Sequence, residues 1–193
     1  MSTVPARDAD LKLAIAFVNT YDRLESPPDI LTMERAVAIA GAYDRPGLAD
    51  RLAAIPPARA GAALDRMRAV RGQLYQIFAA SEADAAVDAL NVALDSQPVR
   101  PRIAAGPDGS LRLTVALATD DFDPVTELAA VATDALAQAM AVGGPGRFGT
   151  CAGDPCRCVY VDRTRAGRQR FCCQLCNDRM AAAAYRSRRA AST

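Results

Sequence analysis

Apolar residues along the first hundred positions recur at a helical period. In DADLKLAIAFVNTYDRL, residues 8–24, Leu13, Phe17, Tyr21 and Leu24 fall three or four positions apart behind aspartates suited to cap a helix. TMERAVAIAGAYD repeats the pattern through Met33, Val37 and Ala40, with Thr32 as its cap. The clearest stripe joins Leu64, Met67, Val70, Leu74 and Ile77, while arginines occupy another face. Val87, Leu90 and Leu94 carry the period on to residue 95, so residues 8–95 are predicted to be helical.

The period then changes. VRPRIAAGPDGSLRLTVALA alternates polar and apolar residues on either side of GPDGS and predicts a β-hairpin. A further helix, from about Pro124 to Val142, runs into GGPGRFG, the one glycine-rich linker of the chain. The pattern divides the chain near residue 145, giving a helical domain over 1–145 and a short module over 146–193.

Composition supports packed helices. Apolar residues make up 51% of the 193 but aromatic ones only 5%, with no tryptophan, so alanine and aliphatic side chains must do most of the packing. No run of about 18 apolar residues occurs, and MSTVPARDAD lacks the basic and apolar regions of an export signal. The expectation is a soluble, cytoplasmic protein without membrane association. Charge sharpens the division at 145: from Arg147 onward there are 10 arginines against 3 aspartates, so the tail carries +7 and the preceding body −6.

The cysteines give that tail its chemistry. All 6 lie between positions 151 and 176, and 15 residues separate the pair Cys151/Cys156 from the pair Cys172/Cys176. Two short-spaced pairs joined by a loop suit a tetrahedral thiolate site, in which each pair spans one edge of the tetrahedron. With no histidine in the chain, any zinc site must be built from thiolates, with or without a carboxylate. A disulfide cluster is the competing explanation and requires an oxidising compartment. Cys173 and Cys176 also form a CxxC, but no thioredoxin-like pattern surrounds it. Cys158 and Cys173 exceed the 4 ligand positions; the expectation is that they are spectators, although either has the placement to replace a ligand.

The arginines of the tail form two sets, Arg163, Arg165, Arg168 and Arg170 between the cysteine pairs and Arg179, Arg186, Arg188 and Arg189 after the last cysteine. Such clusters attract phosphates and point to nucleic acid; the bland alternative is a solvated or body-facing surface on a structural or protein-binding module. Catalysis is not expected: histidine, a phosphate-binding glycine loop, HExxH and a nucleophile elbow are all missing, and a site closed by four thiolates offers no open coordination position.

The segment CAGDPCRCVYVDRTRAGRQRFCCQLCNDRMAAAAYRSRR resembles the CGNR-type zinc finger. Cys151, Cys156, Tyr160, Asp162, Arg165, Arg170, Phe171, Cys172, Cys176, Arg179, Tyr185 and Arg186 stand at the matching places, while the eponymous CGNR reads CNDR and Cys173 replaces the usual serine. LAIAFVNTYD is similar to the opening of the ABATE domain, which precedes such fingers in stress-induced transcription regulators. AVRGQLYQIF and DALNVAL resemble its later helices through Arg71 and Asn91, and Ala16 replaces a common aspartate. The resemblance implies an α+β, mainly α-helical chain whose helical domain with one hairpin is followed by a treble-clef-like or ribbon zinc module ending in a helix. It further implies Zn2+ on Cys151, Cys156, Cys172 and Cys176, DNA as partner, and a small-molecule effector sensed near Asn19, Thr20, Arg71 and Asn91. For those four polar residues, capping and hydrogen bonding between helices is the alternative role, and a homodimer stays open.

Overall fold

Helix α1, Pro5–Val18, buries Leu13, Ala14 and Phe17 as its period requires, but it stops one turn short of the expected end. The computed structural model describes residues 5–97, 99–105, 109–117 and 123–190. After Val18 the side chains take over from the helix ladder. Thr20 returns its hydroxyl to the Phe17 carbonyl at 2.7 Å, and Tyr21 pairs with Asp29 in an isolated antiparallel bridge. Tyr21 and Leu24, expected on the helix stripe, are therefore exposed in a loop.

Helix α2, Met33–Ala42, starts where Thr32 accepts a hydrogen bond from the Arg35 N–H at 3.1 Å. Its core face is Ala36, Ile39 and Ala40; Met33 and Val37, predicted on the stripe, are only half-buried at its edge. Helix α3, Pro46–Ala53, begins with proline in its first turn, where the missing N–H costs nothing. Helix α4, Pro57–Ala79, buries Met67, Leu74 and Ile77 from the predicted stripe and adds Arg71 and Phe78. In α5, Ala83–Asp95, Leu90 faces inward beside Ala86 and Ala93, whereas Val87 lies outward.

The predicted hairpin is present as β1, Val99–Ala105, and β2, Leu111–Leu117, paired antiparallel with Val99 opposite Leu117 and Ala105 opposite Leu111. Of its connecting GPDGS, residues 106–108 lie outside the described residues. Helix α6, Pro124–Gly143, opens on Asp123, whose carboxylate accepts from the Thr126 N–H. It is long and apolar enough to cross a membrane, but half of that stretch is buried in the protein. Nine of its residues are buried as it packs against α1, α3, α4 and α5, which makes it the central core helix. Its alanines allow the close approach that such a crossing needs.

A 3-10 turn at Pro145–Arg147 leads to β3, Phe148–Thr150, which pairs antiparallel with β4, Val159–Val161. This ribbon lies against the helices: Val159 belongs to the main core, and the Phe148 ring stands 5.2 Å from that of Phe78. The division near 145 is thus a change of architecture across which the apolar core continues. The chain ends in α7, Gln174–Ala190.

Candidate metal centre

Cys151 follows β3, Cys156 and Cys158 precede β4, and Cys172 and Cys176 flank the start of α7. The four cysteines expected as ligands bring their Sγ atoms within 4.8 Å of one another. The Cys156–Cys172 and Cys172–Cys176 separations are both 3.8 Å. A tetrahedron with zinc–sulfur arms of about 2.3 Å has edges of about 3.8 Å, so the spacing fits a metal ion of zinc's preference and is far too long for a disulfide. All six thiols are free.

Backbone N–H groups point at two of these thiols. Gly153 N–H points at Cys151 Sγ and Cys158 N–H at Cys156 Sγ, each at 3.4 Å. In Cys151 burial raises the thiol pKa, but hydrogen bonds from the Cys172 and Gly153 amides outweigh it, and the group ends below the ordinary value. Burial leads the upward shift of Cys172 and pushes Cys176 up to about 12, so these thiols need a cation to ionise. A metal ion in the cluster would supply that charge.

Neither extra cysteine belongs to the quartet. Cys158, buried at the start of β4, has its thiol raised by desolvation and by the neighbouring Cys156, and it groups with Asp22 and Cys156 instead. Cys173 is exposed beside the first turn of α7, where the amides of Cys176 and Leu175 lower its thiol.

The loop between the pairs is organised by Asp162. Its carboxylate accepts from Thr164 N–H at 2.7 Å, Thr164 Oγ1 at 2.6 Å and Gln169 N–H at 2.9 Å, which holds it below the usual carboxylate range. Tyr160 closes the loop from inside, donating its hydroxyl to the Gln169 carbonyl at 2.6 Å. Its ring lies over Gly149, where any Cβ would come within 2.9 Å of it. Gly167, at φ 62°, makes the turn with a backbone conformation that other residues rarely adopt.

The expected DNA-contacting arginines divide. Arg165, Arg168, Arg170, Arg186, Arg188 and Arg189 are all exposed, with the Arg170 guanidinium 5.7 Å over the Phe171 ring. Arg163 is exposed but ion-paired with Asp8 of α1. Arg179 reaches back to the cluster, donating to the Gly153 carbonyl at 2.9 Å and lying 3.8 Å from Cys176 Sγ. It braces one cysteine pair against the other, a role that spacing alone could not separate from DNA contact.

The residues expected to sense an effector have protein partners. Asn19 donates from Nδ2 to the Val159 carbonyl at 3.0 Å and accepts from the Val159 N–H at 2.7 Å, tying the end of α1 to β4. Arg71, 8% exposed, makes a two-pronged pair with Asp29 at 2.7 and 3.0 Å and also donates to Thr20 Oγ1 at 3.0 Å. The Arg71 pair, followed by the Leu31 amide and Arg68, holds Asp29 far below the usual carboxylate range against the opposing effect of burial. Asn91 stands apart, exposed on α5. Asp29 is the member of this network that the sequence did not reveal; the available signal was an arginine on an apolar helix face, which demands a carboxylate somewhere.

The comparisons agree with this division into a helical body and a cysteine module. No curated protein matches the chain significantly. The CGNR zinc finger profile matches residues 147–189, enclosing the whole cysteine cluster and nearly all of α7. The ABATE profile, described as "Putative stress-induced transcription regulator", matches residues 11–143. With most of its length under that profile and the zinc finger following it, the chain belongs to the ABATE family and carries a C-terminal CGNR zinc finger.

Proposed function

We propose that the chain is a cytoplasmic, non-catalytic transcription regulator that holds one zinc ion on Cys151, Cys156, Cys172 and Cys176 and binds DNA through the module so formed. The observation that carries this reading is the exposure of α7: of its 17 residues only Cys176 is buried. A helix that gives up its packing surface is expected to meet something outside the chain. At its N-terminal end an open polar cleft of about 590 Å3 is lined by Arg168, Arg170, Gln174 and Asn177 among others. The first turn of α7 has no acidic residue, so its amide end and these arginines offer positive charge to a phosphate. Zinc fixes the start of α7 through Cys176 and so sets the angle at which the helix is presented.

The test is DNA affinity at several salt concentrations, measured for the zinc-loaded chain and for Arg168→Ala with Arg186→Ala. Each arginine on a phosphate should remove roughly one unit of salt slope when replaced and weaken all sequences about equally. An arginine reading a guanine would instead cost about 1–3 kcal/mol at one base pair. Unchanged affinity and slope, with zinc content intact, would favour a module that is structural or binds protein. That second reading draws on the ribbon, since Val159 already lies in the main core.

A further inference from the structure

A second cleft, of about 610 Å3, opens between α1, the C-terminal half of α6 and the loop that follows β4. Its floor is apolar, made by Leu11, Ala139 and Val161, and Val142 stands on its lip 84% exposed. Its rim is cationic. Arg147 donates to the Thr164 carbonyl at 2.6 Å, and Asp162, which also lines the cleft, pairs with its guanidinium at 4.0 Å. Arg163 is neutralised by Asp8, which also pairs with Lys12. Arg165 lines the same cleft, and among the described residues no carboxylate pairs with it.

An apolar floor beside one uncompensated guanidinium is complementary to a molecule with an apolar body and a single anionic group. We infer that this cleft is a small-molecule site for an apolar monocarboxylate or a compound of the same chemistry, with Arg165 receiving the anion and Leu11, Ala139 and Val161 holding the body. The site is distinct from the polar network around Arg71, whose hydrogen-bonding groups are already satisfied within the protein.

Its position has a regulatory consequence, which rests on the DNA-binding reading. Arg165 belongs to the Asp162-organised loop of the zinc module, while the floor of the cleft belongs largely to the helical body. An anion bound here draws Arg165 away from phosphate. Ligand and DNA then weaken each other's binding by the same factor.

Titration of the zinc-loaded full chain with 1-anilinonaphthalene-8-sulfonate, an aromatic body bearing one anionic group, reads the site by fluorescence. The expected result is saturable binding that decanoate displaces. Arg165→Ala should weaken it about tenfold or more, and Ala139→Phe, which fills the floor, should abolish it. Zinc content and helicity must match the parent chain in both variants. Absence of binding, or binding unaffected by both substitutions, overturns the site. DNA affinity is then measured with saturating decanoate, where the salt slope should fall by about one unit. An unchanged slope overturns the coupling while the fluorescence still reports on the cleft. A chain that binds decanoate but no DNA overturns the proposed function and leaves the ligand site standing.

Discussion

The carboxamide of Asn19 satisfies both backbone polar groups of Val159, a residue 140 positions further along the chain. One side chain does there what a neighbouring strand would do for β4. Because Val159 is buried, its N–H and carbonyl have no water to turn to if the amide is removed. Asn19→Ala is expected to lower stability by about 2–3 kcal/mol, the cost of two unmet hydrogen bonds in a partly buried place. Asn19→Asp should retain the bond from the Val159 N–H and lose the one to its carbonyl, giving a further loss from the charge set against that oxygen. Denaturant unfolding of the zinc-loaded proteins checks this; a stability equal to that of the parent chain would mean that the ribbon does not depend on the contact.

Metal content should separate the six cysteines. Serine at Cys151, Cys156, Cys172 or Cys176 should reduce zinc from one equivalent towards none, because three thiolates leave the closed site incomplete. Serine at Cys158 or Cys173 should leave the equivalent intact. Elemental analysis after purification without chelator distinguishes the two groups, and retention of zinc in Cys172→Ser with loss in Cys173→Ser would exchange those two assignments.

Breaking the Arg71–Asp29 pair should cost stability and alter its pH dependence. Arg71→Ala leaves a carboxylate that is only partly open to solvent, so the expected loss is about 2–3 kcal/mol, below the roughly 3–5 of a fully buried pair. Asp29 has its pKa lowered from 3.8 in the folded chain. Its contribution is therefore complete above the unfolded value and disappears as the pH falls through the depressed folded one. The Arg71→Ala chain should lose less stability than the parent on acidification below about pH 4. Parallel acid titrations by circular dichroism would refute this if both chains lost the same amount over that window.

Gly149 and Tyr160 should behave as one unit. A methyl group at 149 meets the ring at 2.9 Å, and the ring cannot swing aside without breaking its hydroxyl bond to Gln169. Gly149→Ala is expected to cost about 1–3 kcal/mol in the parent chain and much less in a Tyr160→Ala background. Equal costs in the two backgrounds, compared by denaturant unfolding in a double-mutant cycle, would remove the steric account.

Much of this was legible in the sequence where the signal was local. The helical period placed Met67, Leu74 and Ile77 inward, Thr32 announced its cap, and the spacing of the cysteine pairs named the quartet that converges. Local signals also misled: the apolar spacing of Tyr21 and Leu24 continued past the point where Thr20 and the bridge to Asp29 end the helix. Partners far apart in sequence were not legible. Asn19 stands out as a polar residue in an apolar helical stretch, but nothing near it points to Val159, and the same holds for Arg71 with Asp29 and for Arg163 with Asp8. The Arg165 cleft was invisible for the same reason, since its walls come from α1, α6 and the loop after β4.

The solitary buried position of α7 separates two selective pressures that most helices must satisfy together. A core-packed helix can change its outer face only within limits set by the inner one, because register and tilt are shared. Here Cys176 is held by the cluster and Arg179 by the Gly153 carbonyl, while most other positions of α7 are exposed. Exchanging those exposed residues is expected to have little effect on the stability of the body, so the outer surface of the helix can change without a change of scaffold.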